Sequence, residues 1–203
     1  MRDAADHWDG AYASRGPTGV SWYEPTPRVS LEMIDGLGVP KDAPVIDVGG
    51  GASGLAGELL ERGYSDVTLL DVSKAALKES ERRLGDAVKR LHIDLSSWRP
   101  EREYALWHDR AVLHFFTDPG DRATYVETLS RAVPVGGFVV LGVFAPDGPE
   151  TCSGLNVDRY AADDLAALLG EEFVQRLARR DVHVTPGGMP QAFTWAAFVR
   201  FGR

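Results

Sequence analysis

Three consecutive glycines, Gly49-Gly50-Gly51, directly follow the tetrad Val45-Ile46-Asp47-Val48, and this junction restricts the fold more than any other part of the chain. Val45, Ile46 and Val48 are β-branched and apolar, which suits a strand covered on both faces. Glycine has no Cβ, so the backbone here can turn sharply and approach a ligand closely. Leu55 and Leu59, four apart, predict the buried face of a helix that opens after the turn. A helix start carries free N–H groups and partial positive charge, and so can hold an anionic group. A tight turn with no ligand would need only one or two glycines.

Further along, short apolar runs end in acids. Val67-Thr68-Leu69-Leu70-Asp71 reads as a second strand, and Leu91-His92-Ile93-Asp94-Leu95 as a third. Tyr104–Arg110 reads as a fourth strand and its exit, and Phe138–Phe144 as a fifth. Helices are predicted between them. Ser73 caps one that buries Ala76, Leu77 and Leu84; Asp118-Pro119 starts another; a third runs from Tyr160 to Leu169. Val182–Gly188 and Ala192–Val199 predict two closing strands around a Gly/Pro turn. Alternating strands and helices imply an α/β, Rossmann-like open sheet with helices on both faces. The sheet is mostly parallel and ends in a C-terminal antiparallel pair. Ligands in such sheets bind outside the carboxyl ends of the strands. Gly49–Gly51, Asp71, Asp94 and His108–Asp109 all fall at those ends. Asp71 lies 24 positions beyond Asp47, near the spacing of an acid that accepts ribose hydroxyls.

Residues 1–43 form an arm and short helix predicted to cover the cleft. The arm carries His7-Trp8-Asp9, Tyr12 and Ser21-Trp22-Tyr23 among glycines and prolines. So many aromatics need something to cover, either the core or a ligand. Residues 145–159 read as a polar loop at the same edge. No repeat or linker divides the 203 residues, so a single domain is expected.

Composition narrows the function classes. A net charge of −8 argues against a nucleic-acid partner. Arg176, Arg179 and Arg180 are the one basic cluster, read as a solvated helix end or turn. The one cysteine, Cys152, excludes an internal disulfide and a cysteine-rich metal site, and no metal is expected. No long apolar run predicts a membrane helix and no basic-then-apolar start predicts a secretory signal, so a cytoplasmic protein is expected.

Gly49, Gly51 and Gly54 satisfy G-x-G-x-x-G, a dinucleotide signature. Asp47, Gly49 and Gly51 equally satisfy D-x-G-x-G, and from here on the chain resembles the class I S-adenosylmethionine (SAM) methyltransferases. Asp71, Asp94, the run Trp107–Phe116 and Gly136-Gly137-Phe138 follow in that family's order. One departure is Ser53, which stands where a third glycine is usual. The resemblance implies that Asp47, Gly49, Gly50 and Gly51 hold the methionyl part of SAM. By the same resemblance Asp71, with Val72, takes the ribose, and Asp94, with Leu95, takes the adenine. His108, Trp22 and Tyr23 complete the expected cofactor-binding set.

The arm is similar both to methyltransferase-like protein-lysine enzymes and to small thiol, thiocyanate and halide methyltransferases. The run His108-Asp109-Arg110-Ala111-Val112-Leu113-His114 departs from the Asp-Lys-Gly-Thr of the first group and looks more like a small-molecule enzyme. The expected reaction is therefore in-line methyl transfer to a small O, N, S or Se nucleophile. Alternatives are a protein-lysine acceptor, an NAD-dependent oxidoreductase, and a SAM-binding protein without catalysis. A protonated acceptor would need a base near pH 7, which favours histidine. His114 is preferred over His108 for that role, and Asp109 completes the catalytic candidates. Cys152 lacks a neighbouring histidine or acid motif that would make it a nucleophile.

Overall fold

A computed structural model describes residues 2–202, with side chains from residue 4 onward. Seven strands form one sheet: β1 (Val45–Val48), β2 (Val67–Asp71), β3 (Lys89–His92), β4 (Leu106–Arg110), β5 (Phe138–Phe144), β8 (Phe173–Val184) and β9 (Pro190–Arg200). Their order is β3-β2-β1-β4-β5-β9-β8. The first five are parallel, and β9 runs antiparallel to both β5 and β8. A small antiparallel hairpin, β6 (Thr151–Cys152) and β7 (Leu155–Asn156), interrupts the loop read as irregular from 145 to 159.

The helices α3 (Leu55–Glu61), α4 (Lys74–Leu84), α5 (Pro119–Ala132) and α6 (Ala162–Leu169) connect the strands. Every residue of β1 is buried, because both sheet faces are covered. Val45 packs into one core cluster with Leu55, Leu59 and Ile34, while Ile46 packs into the other with Trp107, Tyr125 and Leu129. This two-sided burial is why the central strands read as continuous apolar runs. Ser73 caps α4 by accepting from the Ala76 N–H at 3.1 Å, and Asp118 caps α5 through Gly120 and Asp121.

Two parts differ from the sequence reading. The arginine trio lies on β8, not at a helix end, and Arg179 and Arg180 are paired with Glu32 and Asp147. β8 thus starts nine residues before the predicted Val182. The aromatic arm is helical: α1 (Arg2–Gly19) runs to a kink at Gly16 (φ 66°) before Pro17, and α2 (Arg28–Asp35) follows. A residue preceding proline is pushed out of the helical region, and glycine takes the left-handed alternative without a Cβ penalty. Asp9 anchors α1 by accepting from Ser73 Oγ at 2.6 Å and the Ala75 N–H at 3.0 Å, so the arm helps cap α4. Among the described residues no helix is long and apolar enough to cross a membrane.

Candidate functional site

The carboxyl ends of β1, β2 and β4 open into a cleft of about 600 Å³. Ligand sites span roughly 300–1,000 Å³, so the space suits a cofactor with its acceptor. Val48, Gly49, Asp71, Val72, Asp94 and Leu95 line one part; Trp8, Trp22, Arg110, Phe115 and Cys152 line another. A smaller space of about 50 Å³ adjoins it, bounded by Trp22, Tyr23, Asp47, Gly49, Gly50 and His108 among others.

The glycine loop is shaped by what lies beneath it. A Cβ on Gly49 (φ +68°) would stand 2.3 Å from Val112 Cγ2, and one on Gly50 would stand 2.2 Å from Asp47 Oδ2. A Cβ on Gly51 would meet Asp71 Oδ2 at 2.5 Å. The Gly51 N–H instead donates to Asp71 Oδ2 at 3.0 Å, and the Ser73 N–H donates to Oδ1 at 2.7 Å. Each Asp71 oxygen keeps lone-pair capacity for a further donor. Burial pushes the Asp71 carboxyl up to about 6, against those two backbone bonds. Ser53 explains the departure from glycine: its backbone does not adopt positive φ, and its Oγ accepts from the Leu55 N–H at 3.0 Å at the start of α3. Arg83 braces the loop from α4, donating to the carbonyls of Ala52 and Ser53.

Asp94 Oδ1 accepts from the Ser96 N–H at 3.0 Å and from Ser96 Oγ at 2.7 Å, which fixes the turn after β3. Beside it Leu70, Val72, Ile93 and Leu95 make an apolar slot. Asp47 sits opposite His108 across β1 and β4, and its Oδ1 accepts from His108 Nδ1 at 2.7 Å. Asp47 Oδ2 is buried without a hydrogen-bond partner. These observations fit SAM: a cradle closed to any Cβ, a carboxylate poised for two hydroxyls, an apolar slot with an acid beside it, and an orphaned anionic oxygen.

The second part of the cleft is aromatic. Trp8 meets Trp22 edge-on at 5.4 Å and Phe115 at 5.0 Å, and Trp22 Nε1 donates to the Tyr12 hydroxyl at 3.1 Å. Arg110 holds this wall together, donating to the Trp22 carbonyl at 2.8 Å and pairing with Glu24 at 3.1 Å. Burial works against the Glu24 charge, but the His183 hydrogen bond and the Arg110 charge hold its carboxyl below the usual range. Burial pushes the Cys152 thiol up to about 11.

Two of the catalytic candidates face inward. His114 is fully buried against Phe115 and Phe144, neither ring nitrogen has a partner, and burial with the Arg110 charge pushes it down to about 3. It lines neither cavity. Asp109 is likewise fully buried and accepts from Val112, Leu113 and Tyr125, which leaves it no path to a substrate. The physical reason is register: beyond β4 the chain turns inward through Ala111 at φ 67°, and Asp109 holds that turn from inside. His7, read from sequence only as part of the aromatic arm, is the histidine that lines the larger cavity. A helical reading of the arm would have set His7 and Trp8 toward the sheet, but Gly16-Pro17 masks that pattern.

The fold is that of the class I SAM-dependent methyltransferases. It superposes on the Burkholderia thailandensis 1,6-didemethyltoxoflavin-N1-methyltransferase, solved with 1,6-didemethyltoxoflavin and S-adenosylhomocysteine, with a TM-score of 0.73 and 19% identity, covering 99% of this chain and 90% of that one. No protein-family model matches the chain. In sequence it is similar to EEF1A lysine methyltransferase 2 of Mus musculus, 26% identical over 154 residues, covering 67% of this chain and 63% of that protein. The eEF1A lysine and N-terminal methyltransferase of Mus musculus is 32% identical over 143 residues, covering 68% of this chain and 20% of that protein. The chain thus spans less than two thirds of the length of these relatives.

Proposed function

We propose that the protein is a SAM-dependent methyltransferase whose acceptor is a small-molecule nucleophile. The observation that carries this reading is one continuous cleft joining Asp71 and Asp94 to an aromatic chamber roofed by α1. SAM supplies an electrophilic methyl on a sulfonium. Asp71 would hold the ribose, Asp94 the adenine, and Asp47 with the glycine loop the methionyl part. Trp8, Trp22 and Phe115 would exclude water and align the acceptor, which is most of what such a displacement requires. His7 is the residue placed to take a proton if the acceptor arrives protonated. A thiolate would need no base.

Arg110 is paired with Glu24, so the chamber wall gains no net charge from that pair and by itself selects neither for nor against a basic acceptor. A protein-lysine acceptor is the second reading, favoured by the names of the sequence relatives. Incubation with radiolabelled SAM and two acceptor sets, small thiols, amines and acids against proteins from a lysate, tests the choice. Label in the small-molecule fraction is expected. Label confined to lysine of a protein band would overturn the small-molecule reading. Failure to bind S-adenosylhomocysteine would overturn the SAM reading as a whole.

A further inference from the structure

Behind the glycine loop, Asp47 belongs to a three-residue chain whose other two members the proposed chemistry leaves unused. His108 Nδ1 is 2.7 Å from Asp47 Oδ1, and His108 Nε2 is 2.9 Å from Ser30 Oγ on α2. All three are at most 2% exposed. A carboxylate only accepts, so Nδ1 carries the proton toward Asp47; with the ring assigned as that neutral tautomer, Nε2 accepts from the Ser30 hydroxyl. Trp195 lies beside the imidazole, ring centroids 6.3 Å apart and planes 32° apart, which limits its tilt.

The order Ser-His-Asp also occurs in acyl-transfer enzymes, but that use does not fit. Ser30 is 1% exposed and the adjoining space holds about 50 Å³. A hydroxyl so closed off and donating to the imidazole offers no face to an acyl carbon.

What the chain does is fix one carboxylate. Asp47 Oδ1 is committed to His108, while Oδ2 is buried and unpartnered directly under Gly50, and Asp47 is one of the residues bounding the smaller cavity. A buried carboxylate oxygen without a donor is costly, which is the mark of a place kept for a ligand group. A cationic donor would satisfy both its charge and its lone pair.

We propose that Ser30 and His108 are positioning residues that hold Asp47 so that Oδ2 receives the α-ammonium of the cofactor's methionyl part. This rests on the SAM reading above. It ties α2, far from the loop in sequence, to recognition of the amino-acid end of the cofactor and not of its adenosine.

Calorimetry with two ligands tests it. S-adenosylhomocysteine carries the ammonium; 5′-methylthioadenosine keeps the adenosyl thioether and lacks the amino acid. His108→Gln should weaken S-adenosylhomocysteine about tenfold, the loss of roughly one charge-assisted bond. Ser30→Ala should weaken it about threefold and Ser30→Thr should restore it, since threonine keeps the hydroxyl. Binding of 5′-methylthioadenosine should stay within about twofold in every variant. Equal losses for both ligands would mean a merely structural role and overturn the proposal, as would unchanged binding of S-adenosylhomocysteine. The Ser30 pair carries the test if His108→Gln does not fold. A wild-type protein that binds neither ligand would instead defeat the SAM reading, a distinguishable result.

Discussion

The Tyr125 hydroxyl donates to Asp109 Oδ2 at 2.6 Å, inside the protein and away from the cleft. The same carboxylate accepts from the Val112 N–H at 2.9 Å and the Leu113 N–H at 3.0 Å. It therefore holds Ala111 in its left-handed conformation, with Val112 beneath Gly49. Asp109→Asn should cost about 2–3 kcal/mol, because an amide offers one acceptor oxygen where two are used. Tyr125→Phe should cost about 1–2 kcal/mol. Denaturant unfolding measures both, and a cost below the error of the method would show that this carboxylate does not organise the turn.

Acid should weaken cofactor binding through Asp71. Burial raises the carboxyls of Asp71 and Asp109 to about 6. An acid raised on folding contributes stability below its unfolded value, near 4, that is lost as pH rises through about 6. These two groups therefore favour the ligand-free fold at pH 5 over pH 7, while His114, held neutral by burial and pushed down to about 3, opposes them as the unfolded imidazole takes up a proton below about 6.5. Hydroxyl bonds to Asp71 need its ionised form, so S-adenosylhomocysteine should bind several-fold more weakly at pH 5. Calorimetry across that range checks the binding slope. Asp71→Asn should flatten the binding slope.

Gly51→Ala should abolish cofactor binding. The added Cβ would stand 2.5 Å from Asp71 Oδ2 and 2.6 Å from Ala76 Cβ, so the loop or the head of α4 must shift. Overpacking of this kind costs about 1–3 kcal/mol of stability. Gly63→Ala serves as the contrast: it has positive φ but nothing within 4 Å, so it should cost about 1–2 kcal/mol of stability and leave binding intact.

His114→Leu should leave turnover unchanged. The imidazole stays neutral at pH 7 and spends two buried nitrogens on no partner. Removing them should hold stability level or raise it by up to about 1–2 kcal/mol. A large fall in kcat with the fold intact would return His114 to the list of bases. His7→Gln is the paired experiment, and its effect on kcat should grow as the acceptor's own pKa rises.

The sheet could be read from the chain because its signals are local. The runs Val45–Val48 and Val67–Asp71 end at the very residues that begin the loops, and one alternation of strand and helix orders them. The orientation of His114 and Asp109 could not be read in that way. It depends on a single left-handed residue, Ala111, whose side chain gives no hint of its φ. The part of β8 before Val182 escaped recognition because β8 is an edge strand: Arg176, Arg179 and Arg180 suit its solvent-exposed surface, and such a strand lacks the apolar alternation of a half-buried one. The Asp47–His108–Ser30 chain joins residues up to 78 positions apart, and no spacing rule connects them.

The roof of the chamber is synthesised well before the dock that receives it. Asp9 waits 64 residues for the Ser73 hydroxyl that receives it. Through that interval His7, Trp8, Tyr12 and Trp22 have no α4 or β4 to lie against, so a nascent chain carries a greasy, unsheltered segment during the stage when stray association is most damaging. Slow translation ahead of α4, or a bulky fusion placed upstream, would lengthen that exposure and lower the yield of properly closed molecules.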